Sequence, residues 1–385
     1  MRLGLPFDRL KENLQSFSKK GLRRRLSLAE GVDFSSNDYL GHASHSEIKR
    51  TMIAALADPS PMGSGGSRLL RGNHLEHERL EMFAASLFGF ERALFFQSGF
   101  DANHAVFSAL PSRHDWILYD EYIHASVKEG ARASPAKTTA FKHNDLTSLK
   151  EKLSFARSQG AVSIWVAVES LYSMDGDFCP LAEFSAVLLQ EDVVFVVDEA
   201  HAVGVFGSAG LGLFTTECKN LKNSLVVYPC GKAVGLSGAL VCGPEAVVET
   251  LIQSARSFIY TTAPMPVVAA AVRRSLELFS EEESLRKQLY DRVQFARNLL
   301  SKNLEKWVVG GDPLSQIVPL IIGSEEQSVQ VARLLQDAGQ DVRAVRTPTV
   351  PEGQARLRLS LHAQRTEEEI SVLVELLAKF ERSLA

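Results

Sequence analysis

Val193-Val-Phe-Val-Val-Asp-Glu-Ala-His201 sets five apolar residues, unbroken by a polar one, directly against two acids and a histidine. A strand with one wet face alternates apolar and polar positions. A run that is apolar throughout suits a strand buried on both faces, as in a parallel sheet covered by helices. Five further runs share this texture, at 93–96, 116–119, 163–168, 225–228 and 239–242, each followed by small and polar residues. With helical stretches between them, the expectation is an α/β fold with a mostly parallel central sheet and flanking helices.

Away from this core the texture changes twice. The first 45 residues are polar and basic up to Arg25, then carry Phe34-Ser-Ser-Asn-Asp-Tyr-Leu-Gly41, and are read as an N-terminal arm, 1–45. A large domain is expected over 46–275. Beyond it, long charged amphipathic stretches interrupted by strand-like runs at 316–322 and 355–360 predict a smaller C-terminal α+β domain, 276–385. Its last helix is signalled by Thr366 followed by Glu367, Glu368 and Glu369, a capping box with acids at the positive helix end. Ile370, Leu373, Leu377 and Phe380 make its buried stripe.

Composition excludes several classes. At 385 residues, 45% hydrophobic and 23% charged, the chain has material for a large core. Its 42 basic and 46 acidic residues, net charge -4, leave no basic surplus for a phosphate backbone, so nucleic acid is not an expected partner. No apolar run approaches the ~20 residues of a bilayer span. Met1-Arg-Leu-Gly-Leu-Pro-Phe-Asp8 lacks the apolar core and cleavage site of a secretion signal, so no membrane partner and a cytoplasmic location are expected. Cys179, Cys218, Cys230 and Cys242 lie too far apart for a disulfide framework or a structural zinc site. His74-Leu-Glu-His77 lacks the His-Glu-x-x-His order and a third ligand; it is read as an exposed helical face, and no metal is expected.

In open α/β sheets, ligands bind beyond the carboxyl ends of the strands. Here 93–96 leads into Gln97-Ser-Gly-Phe100, 116–119 into Asp120-Glu-Tyr-Ile-His124, 163–168 into Glu169-Ser-Leu-Tyr-Ser-Met-Asp-Gly176, and 225–228 into Pro229-Cys-Gly-Lys232. Singly, such an Asp or His is a helix cap, Ser98-Gly99 a turn and a lysine a solvated charge. Their convergence on one edge suits pyridoxal 5'-phosphate. That cofactor needs a lysine amine for a Schiff base, a carboxylate to keep the pyridine nitrogen protonated, a flat group over the ring and amides for the phosphate. Lys232, beside Gly231, and Asp198, leaving an apolar strand, fit the first two needs. Ser98-Gly99-Phe100, opening an expected helix over 101–110, offers amides at a positive helix end.

Eight phrases then occur in one order: Phe34 to Gly41, Gly63-Ser-Gly-Gly-Ser-Arg68, Ser98-Gly-Phe-Asp-Ala-Asn103, Tyr172-Ser-Met-Asp-Gly-Asp177, Asp198-Glu-Ala-His201, Gly231-Lys-Ala-Val-Gly235, Tyr260-Thr-Thr-Ala-Pro-Met-Pro266 and Pro348-Thr-Val-Pro-Glu-Gly353. Together, over nearly the whole chain, they resemble the α-oxoamine synthase family of fold-type I pyridoxal-phosphate transferases. Gly63 to Arg68, Ser98 to Asn103 and Pro348 to Pro351 followed by Ala355-Arg-Leu-Arg358 are most similar to the members that join L-alanine to a pimeloyl thioester with loss of carbon dioxide. Sister members using glycine or serine with another acyl-CoA, and a non-catalytic relative, are the alternatives.

The resemblance implies that Lys232 forms the Schiff base and removes the α-proton. Asp198 would hold the pyridinium nitrogen, His201 and Ser173 would lie near the phenolic oxygen, and His124 would stack on the ring. Ser98, Gly99 and Phe100 would meet the phosphate, with Thr261 and Thr262 reaching it from the partner of a homodimer. Arg23 and Arg346 match arginines that meet substrate carboxylate, and Asn37 and Glu169 would complete the substrate pocket. The acyl carrier is coenzyme A or acyl carrier protein; Lys19, Lys20, Arg23, Arg24 and Arg25 suit an acidic carrier and equally a solvated helix end. One position departs from the family: Pro229 stands where a threonine usually contacts the phosphate, so one phosphate contact is expected to be lost.

Overall fold

The computed structural model describes residues 6–19, 23–24, 26, 28–57, 61–218 and 221–384. Residues 1–5, Lys20 and Arg25, to which the secretion and carrier readings refer, lie outside these. Apart from a short β1 (Val32–Asp33), the strands up to Gly243 build one sheet. Its strands are β2 (Arg92–Phe96), β3 (Trp116–Asp120), β4 (Lys137–Phe141), β5 (Ile164–Glu169), β6 (Val194–Asp198), β7 (Ser224–Pro229) and β8 (Ala239–Gly243), in the order β2-β8-β7-β6-β5-β3-β4. The pairings from β7 through β6, β5 and β3 to β4 are parallel, whereas β8 runs antiparallel to both β7 and β2. Two reversals restore direction, so β2 points the same way as β7. The carboxyl ends of β2, β3, β5, β6 and β7 therefore share one edge.

Each of the six apolar runs is a strand of this sheet. Their sequence follows from double burial: Val166 and Val168 join one apolar cluster while Trp165 and Ala167, pointing the other way, join a second. Each such side chain contributes about 1.5–3 kcal/mol on removal from water. Helices Gly99–Ala109, Ala125–Ala133, Leu75–Phe88 and Pro266–Glu281 are among those covering the faces. The last of these runs through residue 275 without a break.

The remaining strands are β9 (Val308–Val309), β10 (Ile317–Gly323), β11 (Gln340–Asp341), β12 (Ala344–Val345) and β13 (Ala355–Ser360). Four of them make a smaller antiparallel sheet, β12-β13-β10-β9, while β11 pairs in parallel with β1. The final helix, Glu367–Ser383, begins as its sequence predicts: Glu369 N–H donates to Thr366 Oγ1 at 3.1 Å and Thr366 N–H to Glu369 Oε2 at 2.8 Å. Ile370, Leu373 and Leu377 are buried and Phe380 partly so.

Two expectations need correction. The arm is not peripheral past Gly31: Phe34, Tyr39, Leu40 and His42 are buried. The Ser360 and Ala363 N–H groups donate to the carbonyls of Phe34 and Tyr39, each at 2.8 Å. Three large apolar side chains outweighed the polar residues around them. Nor is His74 to His77 an exposed face. His74 caps the helix, and His77 is fully buried with Nε2 2.7 Å from the carbonyl oxygen of Pro264.

Candidate active site

At the shared strand edge a cavity of about 280 Å³ opens. Lys232, Asp198, Glu169, His124, His201, Asn37, Ser98, Gly99 and Phe100 line it, with Asn103 and Pro229. Five strands deliver these groups. Ser98 follows β2 and caps the helix Gly99–Ala109, accepting from Asp101 N–H at 3.1 Å. The N–H groups of Gly99 and Phe100, in the first helical turn, have no intrahelical acceptor and face the positive end of the helix dipole. A Cβ on Gly99 would stand 2.9 Å from Pro229 Cβ, so the approach of the two loops requires glycine there.

Asp198, closing β6, is fixed from two sides. Asn103 Nδ2 donates to its Oδ2 at 2.7 Å and Ala200 N–H to its Oδ1 at 2.9 Å. Asn103 also donates to Ser126 Oγ at 3.1 Å, and Ser126 Oγ lies 2.8 Å from His124 Nδ1. The Ser126 N–H also donates to Nδ1, at 3.3 Å, so that nitrogen is the acceptor and the ring is neutral. Burial lowers the His124 pKa in the same sense. The network thus ties a carboxylate and a flat neutral ring to one asparagine.

Across the cavity His201 Nδ1 lies 2.7 Å from the Tyr39 hydroxyl, which donates to Asn37 Oδ1 at 3.0 Å and accepts from Arg358 Nη2 at 3.4 Å. Burial, and after it the nearby charges of Lys232 and Arg358, pushes the His201 pKa well below its usual value. Burial also lowers the Lys232 pKa, against the pull of the Asp198 and Glu169 carboxylates. Glu169 goes the other way: desolvation and the charge of Asp198 raise it to about 8.

The remaining expected residues lie outside this cavity in a single chain. Ser173 lines a neighbouring cavity of about 700 Å³, which shares His124 with the first and is bounded by Tyr122, Lys128 and Pro348–Pro351. Arg346 is half-buried just after β12, and Arg23 is exposed. Thr261 and Thr262 sit at the rim, where Gln97 Nε2 donates to the Thr262 carbonyl at 2.6 Å.

Asn103, Ser126, Tyr39 and Arg358 escaped the sequence reading as site residues. Arg358 left the clearest signal, the second of two arginines set among the apolar residues of 355–360. It is buried in β13, and its guanidinium donates to three neutral acceptors: the Ser173 carbonyl at 2.5 Å, Ser360 Oγ at 2.7 Å and Tyr39 Oη. Among the described residues no ion pair engages it, so a buried cation stands beside the cavity without a protein anion.

Residues 29–377 match the family model for aminotransferase class I and II. The chain belongs to that family. Within it the α-oxoamine synthases are the near relatives. The chain is 39% identical over 350 residues to the 8-amino-7-oxononanoate synthase of Chromobacterium violaceum, an alignment covering 90% of this chain and 88% of that one. It is 38% identical to the enzyme of that name from Hydrogenovibrio crunogenus, covering 90% and 86%. Among solved structures, a variant serine palmitoyltransferase from S. paucimobilis with bound PLP-myriocin aldimine superposes with a TM-score of 0.88 at 25% identity, covering 98% of both chains. The 8-amino-7-oxononanoate synthase of Francisella tularensis gives 0.75 at 31% identity, covering 92% and 98%. These α-oxoamine synthases share the mostly parallel sheet and smaller C-terminal sheet described above.

Pyridoxal 5'-phosphate fits the residues present. The cavity combines a half-buried lysine, a carboxylate locked by two donors, a neutral ring held at its rim and free helix-terminal amides. Asn103 Oδ1 and Glu169 Oε1 are buried there without a protein partner.

Proposed function

We propose that this chain is an 8-amino-7-oxononanoate synthase: it condenses L-alanine with a pimeloyl thioester, releasing carbon dioxide and the thiol carrier, in biotin biosynthesis. The observation that carries the reading is the convergence of Lys232, Asp198, His124, His201 and Glu169 on one cavity, in a chain whose relatives of that name match it along nine-tenths of its length.

When bound, pyridoxal 5'-phosphate supplies an electron sink for the pair left on the amino acid's α-carbon. Asp198, held by Asn103 and Ala200, places a fixed negative charge where the ring nitrogen needs its proton. The Gly99 and Phe100 amides would hold the phosphate, and the neutral His124 would face the ring. Lys232 anchors the cofactor and, once its amine is free, takes the α-proton; burial keeps a share of that amine unprotonated and able to act as base. His201, its Nδ1 held by the Tyr39 hydroxyl, would meet the ring's phenolic oxygen. Arg358, the buried cation without a protein anion, takes the carboxylate of the amino acid, a role in which it replaces Arg346. Asn37 completes the pocket. The acyl donor enters through the neighbouring cavity past Ser173 and the Pro348–Pro351 segment.

On this reading the chain works in the cytoplasm as a homodimer in which Thr261 and Thr262 reach the partner's phosphate. Coenzyme A and acyl carrier protein both remain as carriers. The deciding experiment is mass identification of the product when alanine, glycine and serine are each offered with pimeloyl, acetyl, succinyl and long-chain thioesters. 8-Amino-7-oxononanoate from alanine and the pimeloyl donor is expected. Turnover confined to glycine or serine would move the chain to a sister activity.

A further inference from the structure

We infer that Glu169 is the acid of the condensation step: it enters the reaction carrying a proton and gives it to the oxygen of the acyl donor as the carbon–carbon bond forms. This rests on the proposed function and adds a proton donor to it.

Strand register sets Glu169 beside Asp198. β5 and β6 pair in parallel, and Glu169 is the direct partner of Asp198. Partners across two adjacent strands project to the same face, so the two carboxyls stand side by side at the cavity. Two carboxylates so placed, both shielded from water, cannot both hold a charge at little cost.

The protein settles which one ionises. Asp198 receives two donors, from Asn103 and from Ala200, both of which favour its charged form. Glu169 is 1% exposed and its Oε1 has no protein partner, although it lines the cavity. The other groups facing Glu169 are the Lys232 ammonium, the His124 backbone amide, Asp120 at the end of β3, Lys128 and the Tyr172 hydroxyl. Lys232 is drawn more strongly by Asp198 than by Glu169, and it is neutral when it acts as base. Desolvation, and after it the Asp198 charge, push the Glu169 pKa up to about 8.

The chemistry has a place for such an acid. The α-carbon, carrying the electron pair left by its proton, attacks the thioester carbonyl carbon. The C=O π pair moves to oxygen, which takes the proton from the Glu169 carboxyl. As the carbonyl re-forms, the hydroxyl proton returns to the Glu169 carboxylate and the C–S bond breaks, the thiolate leaving with its electron pair. Glu169 ends as it began. Without an acid the developing oxyanion would sit beside Asp198, a like charge in a dry cavity.

The test uses the holoenzyme and Glu169→Gln, which keeps a hydrogen-bond donor but yields no proton, with Glu169→Asp as the conservative control. Infrared difference spectra of wild type against E169Q should show a protonated carboxyl band below the titration point and its loss above. Deuterium exchange at the α-carbon of alanine, measured with no acyl donor, should stay within about 3-fold in E169Q, whereas condensation falls by ~10²–10⁴, the usual contribution of a positioned acid. The alkaline limb of kcat/KM should vanish in E169Q and persist in E169D. Absence of the carboxyl band, or exchange falling as far as condensation, would overturn the assignment. If wild type exchanges the alanine proton but condenses no pimeloyl donor, the function reading alone falls, and the same comparison with the donor that is turned over decides the role of Glu169.

Discussion

Asn103 donates its side-chain amide to Asp198 at 2.7 Å from one turn inside the helix whose first amides, in the proposed function, meet the phosphate. One short helix therefore sets both ends of the cofactor site. Replacing Asn103 by Ala removes a charge-assisted bond at a buried carboxylate, a loss of about 1.5–3 kcal/mol. Fluorescence titration of the apoprotein should show cofactor affinity lower by roughly 10- to 100-fold, 1.4 kcal/mol being a factor of ten. Unchanged affinity would mean that Ala200 alone holds Asp198.

Gly99 and Pro229 form a second coupled pair. Gly99→Ala forces its new Cβ to within 2.9 Å of the Pro229 ring. G99A should weaken cofactor binding, and G99A combined with P229G, which removes the clashing Cβ, should recover part of the loss, a non-additivity of about 0.5–3 kcal/mol. Pro229→Thr alone supplies a hydroxyl at the phosphate end and should tighten retention by up to about 10-fold, one added hydrogen bond to a charged group.

His143 bridges two acids, with Nδ1 2.9 Å from Asp120 and Nε2 2.7 Å from Asp177, and their hydrogen bonds outweigh desolvation to raise its pKa to about 10. A folded-state pKa above the unfolded value of about 6.5 gives stability that is complete below that lower value and fades as pH climbs to the upper one. Melting temperature should therefore decline between those limits. His143→Gln should cost about 3 kcal/mol below the lower limit, as for one partner of a buried ion pair, and flatten the decline. A slope unchanged in the variant would place its origin elsewhere.

Arg358 is expected to act on amino-acid binding. Arg358→Met should raise KM for alanine by roughly 30-fold or more, the cost of about 2 kcal/mol for losing one side of a buried charge pair. KM for the acyl donor should move far less. If Arg346→Met gives the larger effect, the carboxylate belongs there.

Much of this architecture was legible because burial leaves its mark on composition. Strands such as β5 and β7, buried at every residue, read as unbroken apolar runs, and the edge they share follows from the polar residues after them. β4 escaped for the converse reason: it is the edge strand, its Lys137 and Thr138 are exposed, and nothing in Lys-Thr-Thr-Ala-Phe demands a covered face. The direction of β8 was equally hidden, since an apolar run reads the same either way. Asn103 and Tyr39 lay inside recognised phrases without a visible task, because their partners, Asp198 and His201, are 95 and 162 residues further along. Hydrogen bonds of that reach have no local signature.

The triangle of Tyr39, His201 and Arg358 has a consequence for how the protein comes into being. Its outer corners are separated by 319 residues, and the strap that carries Tyr39 is tied down by Ser360 and Ala363. A ribosome delivers the whole seven-stranded sheet, through β8, before Arg358 exists. Until then His201 faces an unfinished wall, and the buried cation that awaits an anion is missing. The wall these three residues build is thus closed only when about nine-tenths of the chain has left the ribosome, well after the last strand of the sheet.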